Sequence, residues 1–361
     1  MNNGKQSAGN GGGSEESAGP RIALKEVAEA AGVSRMTVSL ALRNHPALAA
    51  ATGERIRTIA ARLGYQPDPE VGRVMAQIRA RRRVHRPATV AYLTAHATRQ
   101  GWKKFPTQVA YREGAARRAE ACGYKLEEFW LNEPGMSERR LGDVIRNRGI
   151  NGVIVAPLPV SRMMFQDFPW EWFSAVELGY SLPSPALSRA CSHQFQSMQL
   201  LVEQLRKQGY RRIGFAMEED QDSRVRHNWR GGYLSACSLF RDLEQVPMLL
   251  DADWTRERFG KWRATHRPDV ILTTGPEVLE WIPRDARSNA PEVAVSLVNM
   301  DSVPAHDRMW VSGIDQNSTQ VGAAGVDLLI SLMNSNERGI PRVPRILMVE
   351  GEFIQAKRVC A

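Results

Sequence analysis

The chain has 361 residues, a length that suits two or three domains rather than one small domain. Hydrophobic residues make up 43 % of it, which is enough for buried cores, but no apolar run approaches the ~20 residues that a membrane helix needs. A membrane protein is therefore excluded, and the formal charge of +9 favours a polyanionic partner such as nucleic acid.

Cysteine usage argues against a disulfide framework or a zinc site. The four cysteines are far apart and include no Cys-x-x-Cys pair: Cys122, Cys191, Cys237 and Cys360. This pattern fits a reducing cytoplasm. We expect no metal and no cofactor.

The first 20 residues, MNNGKQSAGNGGGSEESAGP, are rich in Gly, Ser and Asn. This composition predicts a disordered tail, and the absence of an apolar stretch argues against a secretory signal.

Residues 21–67 show helical spacing only. The stretch EVAEAAGVSRMTVSLALRNHP predicts a helix over Glu26–Ala31, a turn at Gly32 and a second helix over Arg35–Leu42. Gly32 can adopt the positive φ of the turn, and Ser34 is a good N-cap. A short helix held by a tight turn is what a reader of the DNA major groove needs, and its outward positions are polar or flexible: Arg35, Met36, Thr37 and Ser39. An ordinary αα-hairpin is the alternative from spacing alone.

A linker over residues 68–87 follows, opened by prolines and rich in arginine (RVMAQIRARRRVHRP). From Ala88 onward, strand-like apolar runs alternate with amphipathic helices, beginning with TVAYLTA and ending with RILMVEG. A second such series starts at GYRRIGFAM. This alternation predicts two doubly wound parallel sheets, hence two α/β lobes with a cleft between them.

No arrangement of residues predicts an enzyme. Nucleophiles and histidines are scattered, and the sequence has neither a Walker loop nor a G-x-G-x-x-G motif. We therefore predict no catalytic residues, although an enzyme on a two-lobed scaffold stays a minor alternative.

The helical region resembles the headpiece of LacI-type (lac repressor/galactose repressor) transcription regulators. The resemblance rests on VAEAAGVS, TVS, the T-x-E-R-I start of a third helix at Thr52, and the closing LGYQP. Weaker similarity to the family's periplasmic-binding-protein-like core continues to about residue 351. The resemblance implies a cytoplasmic, nucleoid-associated homodimeric regulator, in particular a repressor of a double-stranded inverted-repeat operator, with a small-molecule effector.

The resemblance also implies which residues contact DNA: Lys25, Glu26, Ser34, Arg35, Met36, Thr37, Ser39 and Asn44, with Val74 or Met75 as the apolar wedge of a minor-groove hinge helix. Two positions depart from the family. Leu40 stands where many relatives have an arginine, so the base contact of that arginine is missing. Gly53 stands where relatives usually have an arginine at the third helix, which removes one phosphate contact. The alternative that this segment is a solvated basic linker, and not a hinge helix, stays open.

The effector positions implied by the resemblance depart further from the family pattern. They are Phe105, Tyr111, Trp229, Thr274 and Asp301, and of the polar groups that hold sugar hydroxyls in relatives only the aspartate remains. A polyhydroxyl sugar would lose hydrogen-bond partners here. We expect a smaller or flatter, less polar ligand. One alternative that stays open is that the chain has lost effector binding completely. Another is that it is a small-molecule-binding protein whose headpiece is degenerate.

The predicted domains are the tail (1–20), the headpiece (21–67), the linker (68–87) and an effector-binding and dimerisation core (88–361). Within the core we predict lobe 1 over about 88–191 and 316–340, and lobe 2 over about 192–315 and 341–361. Chain crossings should therefore lie near Cys191, Gln316 and Pro341. Residues 352–361 contain no leucine heptads, which favours a dimer over a tetramer.

Overall fold

A computed structural model describes residues 22–42, 48–65, 88–160, 164–284 and 291–357. The chain divides into two compact units after residue 73. The predicted tail (1–20) and linker (68–87) lie outside the described residues, as do the site candidates Asn44, Val74 and Met75.

The first unit is a three-helix domain. Its helices are α1 (Leu24–Ala31), α2 (Arg35–Leu42) and α3 (Ala50–Arg62). The prediction for α2 is confirmed, and α1 begins two residues earlier than the sequence pattern indicated. Apolar side chains at helical spacing form one small core that includes Val27, Val38 and Ile56, each fully buried. Such a core positions α2 against α1 and leaves the remaining face of α2 outward.

Lobe 1 of the second unit is a doubly wound α/β layer. Its strands are β1 (Ala88–Thr94), β2 (Tyr124–Trp130), β3 (Gly152–Val155), β4 (Ser174–Leu178), β5 (Ser188–Ser192) and β11 (Ile346–Val349). They pair in the order β11-β5-β4-β3-β1-β2, all parallel. Helices α4 (Pro106–Ala121) and α11 (Ser318–Asn334) cover one face, and α5 (Glu138–Asn147) covers the other. Strands buried on both faces explain the continuous apolar runs in the sequence.

Lobe 2 repeats the plan. Its strands are β6 (Ile213–Glu218), β7 (Leu249–Asp251), β8 (Val270–Thr273), β9 (Ala294–Leu297), β10 (Ser312–Asp315) and β12 (Glu352–Ile354). They pair in the order β12-β10-β9-β8-β6-β7, parallel except for the antiparallel edge strand β12. The helices are α6 (Gln194–Lys207), α7 (Glu219–Arg224), α8 (Asn228–Leu239), α9 (Arg256–His266) and α10 (Val278–Trp281). The predicted pair of doubly wound sheets is confirmed.

The chain passes between the lobes after β5, after β10 and after β11. The third crossing was predicted near Pro341, and this is wrong. The segment after Pro341 still belongs to lobe 1, because β11 pairs in parallel with β5, and the chain crosses only at residues 350–351. The reason is that an apolar run such as ILMV fits the edge of either sheet, so the pattern alone does not assign it.

Candidate nucleic-acid interface and ligand cleft

The turn between α1 and α2 is built around Gly32. Its φ of +65° is in the left-handed region, and its N–H donates to the carbonyl of Glu29 at 3.2 Å. The next N–H, of Val33, donates to the carbonyl of Ala28 at 3.0 Å. These bonds satisfy the end of α1 and fix the direction in which α2 leaves.

Ser34 begins α2 as predicted. Its Oγ accepts the backbone N–H of Thr37 at 3.1 Å and lies 2.9 Å from the Thr37 hydroxyl. These bonds hold the backbone of the first turn of α2 and the side chain of Thr37 in place. Met36 is 73 % exposed and Arg35 is exposed, whereas Thr37 and Ser39 are half-buried. Core packing does not explain why Met36 and Arg35 stand at this helix start, because both side chains are exposed.

Two arginines of α3 brace the other helices from behind. Arg55 donates to the carbonyl of Ala31 at 3.1 Å, and Arg57 donates to the carbonyl of Ala41 at 3.2 Å. Both carbonyls lie at helix C-termini, where a cation is favoured. The arginines thus stabilise the arrangement of α1 and α2 rather than their outer surface.

The two candidates on α1 differ in what holds them. Glu26 accepts the backbone N–H of Ala23 at 2.5 Å, so its carboxylate caps the start of α1. Lys25 lies 3.7 Å from Glu29 in an exposed pair of about 0.3–0.5 kcal/mol. Lys25 is therefore free to contact an anion at little cost, whereas Glu26 has a structural role already.

The second candidate site is a cleft between the two lobes of the core. A cavity of about 200 Å³ opens at the carboxyl ends of the strands, where ligands bind in doubly wound sheets. Its wall includes four of the five predicted effector residues: Phe105, Tyr111, Trp229 and Thr274. The topology thus brings together residues that are far apart in the sequence.

These four residues contribute different surfaces. Phe105, at the N-cap of α4, is 45 % exposed and leans towards the ring of His96 at 5.4 Å between centroids. Tyr111 is buried, and burial raises the pKa of its phenol. Trp229 belongs to the lobe 2 core and also lines the cavity.

Asp301, the fifth predicted effector residue, does not line the cavity. Its carboxylate accepts the hydroxyl of Ser318 at 2.5 Å, and its backbone N–H donates to Asn299 Oδ1 at 3.0 Å. One carboxylate oxygen is therefore tied to the second crossing of the chain, and the residue is not part of the cavity wall, which differs from the expectation that it faces a ligand.

Most of the polar side chains that line the cavity were not predicted from the sequence. The missed side chains include Gln108, Gln194, Gln221, Arg224, Asn299 and Gln316. Asn299 and Gln316 each follow a parallel strand, and this position was the available signal for them. Arg224 lies at the end of a one-and-a-half-turn helix within EDQDSR and carries no pattern that marks it.

Two hydrogen bonds cross the cleft from lobe 2 to lobe 1. Arg224 Nη2 donates to the carbonyl of Leu158 at 2.6 Å, and Asn299 Nδ2 donates to Thr107 Oγ1 at 2.7 Å. Burial lowers the pKa of Arg224, which Glu218 and Asp220 partly oppose. A ligand in the cavity would contact groups that already join the lobes.

Among the residues that the structure describes, no group of three His, Cys, Asp or Glu side chains could hold a metal ion. Within the same residues, no helix is long and apolar enough to cross a membrane.

Two family models match parts of the chain, one in each unit. The model of bacterial regulatory proteins of the lacI family matches residues 23–68, and the model of the periplasmic binding protein-like domain matches residues 202–352. The chain belongs to the LacI family. It is thus a DNA-binding transcription regulator with a helix-turn-helix headpiece and a periplasmic-binding-protein-like effector domain, and regulators of this family are not enzymes.

Individual LacI-family proteins are similar over most of the chain. The HTH-type transcriptional regulator MalR of Streptococcus pneumoniae serotype 4 is 22 % identical over 322 residues, which cover 88 % of this chain and 94 % of MalR. Among solved structures, a CelR–cellobiose complex is 18 % identical with a TM-score of 0.54, covering 93 % of this chain and 99 % of CelR. The lac repressor dimer bound to operator and the anti-inducer ONPF is 16 % identical with a TM-score of 0.52. The match covers 94 % of this chain and 99 % of the lac repressor chain. These structures share the fold of this LacI-family chain.

Proposed function

We propose that this LacI-family protein is a repressor that binds an inverted-repeat operator as a homodimer in the cytoplasm. The observation that carries the proposal is the exposed first turn of α2, where Arg35 and Met36 project from a helix that Ser34 caps and Gly32 orients. Arginine can contact guanine in two-pronged fashion, and methionine can contact a thymine methyl. One such helix reads a half-site, so a two-fold symmetric operator calls for two chains.

The interlobe cleft is the proposed site of a small-molecule effector. Its position at the strand ends and the two hydrogen bonds across it support a ligand that changes how the lobes are held. Relatives support the same role, since CelR is described with cellobiose and the lac repressor with ONPF. Phe105, Tyr111, Trp229 and Thr274 are the proposed effector contacts, and Asp301 supports the second crossing instead.

The proposed DNA contacts are Lys25, Arg35, Met36, Thr37 and Ser39. The N–H groups at the start of α2 add a site for phosphate, next to Ser34. Glu26 caps α1.

Selection of binding sites from random duplex DNA tests the proposal. Purified full-length protein should enrich an inverted repeat at fixed salt. An Arg35→Ala, Thr37→Ala double variant should lose the motif, because it removes base contacts worth about 1–3 kcal/mol each. The matched control is Arg256→Ala, which changes an exposed arginine of α9 in the core.

Enrichment of the same motif by both the wild type and the double variant would overturn the role given to α2. Salt-sensitive binding without any motif would favour the alternative function, a small-molecule-binding protein with a degenerate headpiece. The replacement of a family arginine by Leu40, and Gly53 in α3, are the features that favour this alternative.

A further inference from the structure

The cleft is lined without a carboxylate, the strongest acceptor for the hydroxyls of a polyhydroxyl ligand. None of the described residues that line it is Asp or Glu, and one oxygen of the nearby Asp301 carboxylate accepts the hydroxyl of Ser318. Sugar hydroxyls donate hydrogen bonds, and carboxylates are the strongest protein acceptors for them. The lining instead offers neutral amides and hydroxyls, aromatic rings and one guanidinium.

That guanidinium belongs to Arg224, a half-buried side chain without a close counter-charge among the described residues. The hydrogen bond that it makes is to the backbone carbonyl of Leu158. No carboxylate of the described residues lies within 4.0 Å of it, and Glu218 and Asp220 act on it from farther away. A partly desolvated charge without a counter-ion is unfavourable, so an anion in the cleft would be stabilised by charge-assisted hydrogen bonds.

The rest of the lining suits a flat apolar group. Phe105 at the mouth and Tyr111 and Trp229 in the wall are aromatic, and proline lines the cavity at Pro106 and Pro157. Exposed aromatic surface at a cavity mouth is stabilised when an apolar ligand covers it.

Gln194 adds a separate observation. It lines the cavity and is only 5 % exposed, and its side-chain Oε1 accepts no hydrogen bond from any described residue. A buried acceptor of this kind costs about 1–3 kcal/mol when left unpaired. It calls for a donor, a hydroxyl or N–H group, on whatever fills the cavity.

We propose that the effector is a small organic carboxylate with a planar apolar body and a hydroxyl or amide donor, and not a sugar. The carboxylate binds Arg224, the body packs between Phe105 and Trp229, and the donor satisfies Gln194. Because Arg224 already reaches Leu158 of the other lobe, the anion binds where the lobes are joined. This inference rests on the proposed role of the cleft as the effector site.

Calorimetric titration of the full-length protein tests the ligand class. The probes are 4-hydroxybenzoate, 4-hydroxyphenylacetate and 4-hydroxycinnamate, each paired with its neutral amide, together with glucose and cellobiose. At least one acid should bind ten-fold or more tightly than its amide and than either sugar. Arg224→Gln should abolish this preference, Arg224→Lys should retain part of it, and Arg256→Gln should leave it unchanged.

The inference is overturned if no acid binds more tightly than its amide, if a sugar binds more tightly than every acid, or if the preference persists in Arg224→Gln. If Arg224→Gln does not fold, Arg224→Lys decides: affinity for the neutral amides should change less than affinity for the acids, and an equal change in both overturns the inference. Operator selection is scored separately. A selected operator with no acid binding refutes only the ligand class, whereas acid binding without an operator refutes only the proposed DNA reading.

Discussion

Glu177 and Arg189 form a buried ion pair behind the wall of the cleft. Their side chains are 2 % and 3 % exposed, and Arg189 Nη1 lies 2.8 Å from Glu177 Oε1. The N–H groups are not aligned with the carboxylate, so neither of its oxygens receives a hydrogen bond from the described residues. Burial raises the pKa of Glu177 to about 8, although Arg189 and Arg226 lower it. Close approach alone does not compensate for the lost solvation of this carboxylate.

The raised pKa of Glu177 predicts a pH-dependent stability. Between the unfolded value of 4.5 and about 8, the folded chain holds a proton that the unfolded chain releases. The free energy of unfolding should therefore fall as the pH rises through this window. Urea unfolding followed by tryptophan fluorescence measures it for the core, because all 9 tryptophans lie beyond residue 88.

The Glu177→Gln variant should lose this part of the slope, and the exposed control Glu113→Gln should keep it. Equal slopes from pH 5 to 8 in the wild type and Glu177→Gln would contradict the raised pKa.

At the scale of elements, α4 and α11 approach each other through glycine. A Cβ added to Gly322 would lie 2.0 Å from the carbonyl oxygen of Tyr111, and one added to Gly114 would lie 1.9 Å from that of Thr319. Neither backbone oxygen can move without moving its helix. This contact seats α4, and with it Tyr111 and the start of the helix at Phe105, beside the cleft.

Gly322→Ala should therefore lower the free energy of unfolding of the core by about 1–3 kcal/mol or more, since the helices must separate. The matched control is Gly260→Ala in α9, where an added Cβ meets no atom within 4 Å. That change should be neutral or stabilise by about 0.5–1 kcal/mol, because alanine favours the helix. Urea unfolding measures the free energy of unfolding of both variants. Equal effects of the two substitutions would show that the close approach of the helices is not what makes Gly322→Ala destabilising.

The elements that were predictable from the sequence are those whose signal is local. The turn at Gly32, the cap at Ser34 and the bounds of α2 all depend on residues within one or two turns, and the structure confirms them. The edge position of β11 depends on a partner strand more than 150 residues earlier, and no local pattern encodes that choice.

The cleft was predictable only in part for the same reason. Phe105, Tyr111, Trp229 and Thr274 were placed by resemblance to the family, and all four line the cavity. Asp301 was placed in the same way, but it does not line the cavity, and one of its carboxylate oxygens accepts the hydroxyl of Ser318, a partner that the sequence does not reveal. Arg224 and Gln194 become visible only when burial and hydrogen bonding are known.

At the scale of the whole molecule, the sequence joins a DNA-reading unit to a two-lobed ligand-binding unit. Within the core, Arg224 and Asn299 each link the lobes through one hydrogen bond. Hydrogen bonds of this kind contribute about 0.5–1.5 kcal/mol each, which is small enough for a bound ligand to change how the lobes are held. Such a change is the coupling that an effector-controlled operator affinity requires.

Two chains should read one operator through α2. The most direct test measures the mass of the complex between full-length protein and the selected repeat, beside a duplex in which one half-site is scrambled. We predict two chains on the intact repeat and a loss of affinity of at least ten-fold on the scrambled duplex. A single bound chain with equal affinity for both duplexes would contradict the binding of one operator by two chains.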